Sequence, residues 1–218
     1  MTGQIHRCAQ ADHGSNVGGC HAMGKHNDRL SKEGIRAAAK DIEEGVIYEN
    51  NGVKVTAFLV DHGPIKPAFG YRIDFAGHSV AMSGDTRFSE NLIRHSQGVD
   101  LLIHESASGP GSFTSRPNVE LSDRQRAQQE KTLSIHTSAD QTAAVFNRVK
   151  PRLAVYAHGG GPLTVAEARK TYAGPLEDGE DLMTIEIGNR IEVRKRGKLA
   201  QSEEMRAVPA SALEWRGA

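Results

Sequence analysis

Cysteine is nearly missing from this chain: only Cys8 and Cys20 occur in 218 residues. Two isolated thiols are more often neither a disulfide nor a metal-ligand pair, and both roles stay open for these two. Net charge is missing as well, since 27 Lys and Arg are matched by 27 Asp and Glu. No global basic field therefore recruits nucleic acid or an anionic membrane. A local basic groove remains compatible with that balance. No apolar run approaches the ~20 residues that cross a bilayer, and the first twenty residues hold no signal-peptide core. Cytoplasm is the default setting, with no membrane partner. Hydrophobic residues at 38% and charged residues at 25% suit one ordinary globular domain with a proper core.

Along the chain, residues 1–44 read as an irregular leader, because neither a period of 2 nor one of 3.6 appears before Ser31. The stretch "SKEGIRAAAKDIEE" (31–44) predicts a short polar helix capped by Ser31. From 45 to 195 the pattern is that of a domain. "VKVTAFLV" (53–60), "FGYRIDF" (69–75), "HSVAMS" (78–83), "DLLIHE" (100–105) and "RLAVYAH" (152–158) predict strands. Residues 89–97, 137–149 and 164–172 predict helices. Residues 181–187 and 190–195 predict a hairpin across Gly188-Asn189. Residues 106–133 read as a long polar loop with some helix near 122–131, and residues 196–218 as a polar, mobile tail. The alternation of strands and helices places the domain in the α/β class.

Ligand-type side chains gather at the predicted element ends. His62 ends one strand, Asp85 follows another, His104 and Glu105 close a third, and His158 a fourth; His136 precedes a helix. Singly, each has an ordinary explanation. A lone histidine is more often buried against a carbonyl, and Asp85 or Ser89 can cap the helix after "SGDTRF". Four histidines and an aspartate at successive tips are harder to obtain by chance. Imidazoles and a carboxylate are the ligand set for Zn²⁺ and similar ions.

The run "VTAFLVDHGPIKPAFGYRIDFAGHSVAMSGDT", followed by "DLLIHES", "HTSADQTA" and "LAVYAHGG", resembles the successive motifs of the metallo-β-lactamase superfamily. It is most similar to the ribonuclease Z-like branch, which has arylsulfatase-like relatives, and the similarity runs from about Gly45 to Arg194. The resemblance implies an αββα sandwich, here partial (α+β), with a two-zinc site at the sheet edges. It implies that His62, Asp85 and His158 are metal ligands, with Asp85 bridging the two ions. It implies that His136 is the catalytic proton donor, supported by the His104-Glu105 loop. Two zinc ions holding a hydroxide between them would then cleave a phosphodiester of the tRNA 3′-end type. The same ligands serve arylsulfatase-like and carboxylic-ester or lactone hydrolases, so a small ester is the alternative substrate to RNA. Homodimers fit such a chain.

One departure stands out. The family's N-terminal His-x-His-x-Asp-His motif is absent. The leader offers His6, Cys8, Asp12, His13, Cys20, His21 and His26, and "ADHGS" keeps only an Asp-His pair. A truncated or frame-shifted enzyme, a leader that folds back to rebuild the site, and a non-catalytic binding relative each fit this. The ending "YAHGGGP" also departs from the Thr-His-Phe-Ser type. Arg116, Arg124, Arg126 and Lys131 in the polar loop either touch phosphates or are solvated charges. A half-fold of this kind is expected to leave an apolar sheet face uncovered.

Overall fold

The computed structural model describes residues 40–107, 120, 122–159, 161–195 and 206–207. The chain divides into two units, Met1–Ile42 and Glu43–Ala218. In the first unit only residues 40–42 are described, and they carry no helix or strand. The second unit holds everything that follows.

Seven strands form one mixed sheet in chain order: β1 (Gly45–Asn50), β2 (Val53–His62), β3 (Ile65–Phe75), β4 (His78–Met82), β5 (Leu101–Glu105), β6 (Leu153–Ala157) and β7 (Leu176–Asp178). The first four are antiparallel neighbours joined by tight turns, and β4 to β7 are parallel. Crossovers between the parallel strands carry α1 (Glu90–His95), α2 (Asp123–Leu133), α3 (Ala139–Val149) and α4 (Pro162–Ala168). A second, three-stranded sheet contains β8 (Thr184–Ile187), β9 (Ile191–Arg194) and β10 (Arg206–Ala207). Among the described residues no helix is long and apolar enough to cross a membrane.

Period-two alternation sorts the large sheet into two faces. Phe58, Ala81, Leu102, Ala154 and Tyr156 point to one side, where Leu92 of α1, Phe146 of α3 and Ala168 of α4 close the main core. Leu101, Leu153 and Val155 point to the other, against Ile191 and Val193 of β9. The layers are thus helix, sheet and small sheet. The small sheet covers the β5–β6 end. On β1 to β4 the same face presents Tyr48, Leu59, Phe75 and Met82, all exposed to at least 40%. Strand pairing places Val55, Tyr71 and Ile73 among them, so among the described residues this part of the sheet presents an exposed apolar face, as expected.

Gly70 lies across from Phe58. A Cβ on Gly70 would sit 2.4 Å from the Phe58 ring and 3.0 Å from the Met82 carbonyl oxygen. Phe58 uses that hollow and stacks on His95, with ring centroids 4.7 Å apart. Gly70→Ala is therefore expected to cost about 1–3 kcal/mol, read as a lower urea midpoint with an unchanged slope.

Several sequence expectations need correction. Residues 31–39 of the expected 31–44 helix lie outside the described residues, and 40–44 are not helical. Glu44 is instead tied to the sheet, its carboxylate accepting from Leu59 N at 3.0 Å and from Asn91 Nδ2 at 2.7 Å. Strand β1 was not expected. Strand β3 begins at Ile65, four residues before the expected start. Helix α4 occupies 162–168 where 164–172 was expected, with Pro162 in its first turn. Arg206–Ala207, expected within the mobile tail, pair with β9.

Candidate metal centre

The rim at the carboxyl ends of β2, β5 and β6, beyond the end of β4, gathers the site. His62 is the last residue of β2 and is 7% exposed. Its Nδ1–H donates to Ile135 O at 2.7 Å. A carbonyl only accepts, so this bond puts the proton on Nδ1, and in the neutral ring Nε2 is the nitrogen that offers a lone pair. That nitrogen lies 4.0 Å from Asp85 Oδ2.

Asp85 follows β4 through Ser83-Gly84. Gly84 has φ +60, and a Cβ there would stand 2.4 Å from Phe69 O. The chain can leave the strand this close to β3 only without a side chain. The helix that follows does not use Asp85, because Ser89 caps α1 by accepting from Leu92 N. The carboxylate is left for the rim, where His158 Nδ1–H donates to Oδ1 at 2.7 Å. His158 stands just after β6 with φ +46 and is largely exposed.

His136 sits between α2 and α3. Its ring meets His62 edge-on at 4.8 Å and His158 at 5.2 Å between centroids. Nδ1–H donates to Glu105 Oε1 at 3.1 Å. That same oxygen accepts from Thr86 N at 3.0 Å and Thr137 N at 3.1 Å. Glu105 Oε2 is buried with no partner among the described residues. Burial pushes the Glu105 carboxyl up to about 7; the two backbone N–H groups pull against that, and the Asp85 charge adds to it. Burial also lowers the pKa of His136, which the Asp85 charge opposes.

Two features brace the rim from behind. Ser83 Oγ accepts from Glu105 N at 2.9 Å, and Thr137 Oγ1 donates to Thr86 O at 2.6 Å. The tips of β4 and β5 and the start of α3 are thereby held at hydrogen-bond spacing.

Four of the sequence candidates, His62, Asp85, His136 and His158, come together, with Glu105 behind them. His104 does not join them. Period two turns it to the helix side of β5, where it is fully buried and meets Phe146 edge-on at 6.0 Å. Its Nδ1–H donates to Glu105 O, and burial holds its pKa down at about 4. The structure therefore places a neutral core histidine there. His6, Cys8, Asp12, His13, Cys20, His21, His26 and Arg116 lie outside the described residues. Arg124, Arg126 and Lys131 fall on α2, which buries none of its side chains.

The donor set fits a divalent ion. Ligand atoms of His62, Asp85 and His136 all lie within 4.8 Å of one another, and a hydrogen-bonded imidazole beside a carboxylate is what zinc-type sites use. The described residues supply enough ligands for one such ion; a second would share the same few side chains.

Ligand-type side chains on the strand tips of a mixed sheet, with helices behind, define an α/β protein with a candidate metal-site rim. Residues 22–159, more than half of the chain, match the family described as Beta-lactamase superfamily domain, and the chain belongs to that family, the metallo-β-lactamase superfamily. Ribonuclease Z of Mycobacterium sp. (strain KMS) is 27% identical over 164 residues, covering 72% of this chain and 54% of that one. Ribonuclease Z of Mycobacterium tuberculosis (strain ATCC 25618 / H37Rv) is 28% identical over 153 residues, covering 67% and 53%. The chain spans about half the length of these curated relatives. Among solved structures, the metallo-β-lactamase fold protein YhfI from Bacillus subtilis aligns with a TM-score of 0.46 at 17% identity, over 61% of this chain and 49% of that one. The short form of human tRNase Z aligns at 0.43 and 19%, over 66% and 46%.

Proposed function

We propose that this chain carries the metal-binding half-site of a ribonuclease Z-like hydrolase that cleaves a phosphodiester in RNA, of the tRNA 3′-end type, in the cytoplasm. The observation that carries the reading is the convergence of His62, Asp85, His136 and His158 on one rim, with Glu105 bonded behind His136. His62, Asp85 and His158 would hold zinc. A bound divalent ion lowers the pKa of water and polarises the ester under attack. The protein's own groups do the rest. Ile135 O orients the His62 ring, and Glu105 Oε1 holds His136 by Nδ1, so that Nε2 faces the rim; in the imidazolium form, which burial opposes and the Asp85 charge favours, Nε2 would carry the proton for the leaving oxygen.

With the ligands of one ion in place, we expect about one zinc per chain and turnover well below that of longer relatives. A small sulfate ester or lactone uses the same ligands, and a homodimer is compatible with the exposed apolar face. A second reading has its own support. Because His136 falls within the 4.8 Å ligand group and His158 does not, His136 would be the third ligand of a single ion.

The test is elemental analysis of the purified full chain, beside a screen of precursor tRNA, a nitrophenyl phosphodiester, a sulfate ester and a lactone. Bound zinc with phosphodiester cleavage supports the reading. Turnover of sulfate ester or lactone alone overturns the substrate class, and a chain that takes up no divalent ion overturns the metal reading.

A further inference from the structure

We propose that Arg87 is the positioning residue that staples together the three segments presenting His62, Asp85 and His136; the proposal rests on the same rim as the function above. Arg87 lies two residues after Asp85, and its backbone N–H donates to Asp61 O at 2.6 Å, the residue before His62. Its side-chain Nε–H donates to Ser134 O at 2.5 Å, two residues before His136. Its Nη1 stands 3.5 Å from Asp61 Oδ2. One guanidinium therefore contacts the end of β2 and the connection between α2 and α3 while its own backbone fixes the loop after β4. A fork of donors in fixed geometry makes such a three-way link, which a single ammonium does not.

The surroundings are shaped to admit it. Gly63 has φ +63, and a Cβ there would lie 2.9 Å from Arg87 Nη2 and 2.9 Å from the Ile135 side chain. Ile135 is also the residue whose carbonyl orients His62. The link from Arg87 to Ser134 thus holds the peptide next to the one whose carbonyl sets the His62 tautomer. Helix α2 bonds this segment through its last carbonyls, from Ser134 N to Glu130 O and from Ile135 N and His136 N to Thr132 O, but none of its own side chains is buried to tie it to the sheet. Asp61 also accepts from Gly63 N at 2.9 Å, closing the turn around the same arginine.

Removing the guanidinium takes away the Ser134 link to the β2 end, and the Ile135 carbonyl that orients the His62 ring is then positioned only by the backbone bonds to α2. The experiment compares the full chain with Arg87→Ala and Arg87→Lys, each first metal-free and then titrated with Co²⁺ alone. In the metal-free proteins, long-range ¹H–¹⁵N spectra of the imidazoles report the tautomer. The parent is expected to show His62 as the Nδ1–H form, and Arg87→Ala a mixture, with the stacked His95 signal unchanged. Guanidinium ion added to Arg87→Ala is expected to restore the single form, since the site is half exposed. Co²⁺ affinity is expected to fall about 10–100-fold in Arg87→Ala and less in Arg87→Lys.

An unchanged His62 tautomer in Arg87→Ala overturns the proposal. If that variant does not fold, an unchanged tautomer in Arg87→Lys does the same. A parent that fails to bind Co²⁺ while Arg87→Ala still loses its tautomer would sink the metal reading and leave the positioning role standing.

Discussion

Asp85→Ala is expected to empty the protein of bound zinc, a loss to below a tenth of the parent stoichiometry by elemental analysis. The carboxylate lies within ligand reach of His62 and is bonded to His158, so both imidazoles lose their common anion at once. Two histidines without a carboxylate make a poor zinc site. His136→Ala is the informative partner. If His136 is the proton donor, that variant keeps its zinc and loses about 10²–10⁴-fold in turnover. If His136 is the third ligand, zinc and turnover fall together. Full zinc in Asp85→Ala would show that the ion sits elsewhere.

The second large effect is on stability against pH, measured without metal. Glu105 titrates at an ordinary value near 4.5 when unfolded and at about 7 in the folded protein. Below pH 4.5 both states hold the proton and the folded state bears no charge-burial cost. As pH rises through 7 that advantage is lost, because the folded carboxyl must ionise in a site whose Oε2 has no partner among the described residues. A shift of this size corresponds to about 3 kcal/mol over the window from about pH 4.5 to pH 7. Glu105→Gln has no proton to lose. Its unfolding free energy is expected to change about 3 kcal/mol less than the parent's between pH 4.5 and pH 8 in urea denaturation. Groups remote from Glu105 titrate in both proteins and cancel in the comparison. Parallel profiles would show that Glu105 is an ordinary carboxylate.

Much of the sheet could be read from the sequence because burial writes itself as periodicity. Strands β2, β5 and β6 carry β-branched or continuous apolar runs that few other structures accommodate. Strand β1 was missed for the opposite reason. Its "GVIYEN" lies at the sheet edge with every residue after Gly45 exposed, so no face imposes a pattern. The start of β3 hides behind Lys66-Pro67, since proline reads as a strand breaker. Helix α4 began early because a proline suits a first helical turn. For the rim, strand ends located His62, Asp85 and His158, and the polar start of a helix located His136. His104 is instructive. Alternation alone puts it and Glu105 on opposite faces of β5, and applying that rule at the sequence level would have separated the core histidine from the rim carboxylate. Arg87 had no sequence signal beyond a charged residue in a loop, because what defines it is the distance to Asp61 and Ser134, 26 and 47 residues away.

The order of the strands also bears on how the rim comes into being. His62 and Asp85 are carried by the antiparallel meander of β1 to β4, whose neighbours in space are neighbours along the chain. His136 and His158 arrive only through long crossovers, whose closure costs more entropy and comes later. A chain caught partway through folding would thus hold His62 and Asp85 in native positions and leave the other two histidines adrift, so metal added during refolding is expected to capture a late species and leave the early meander untouched.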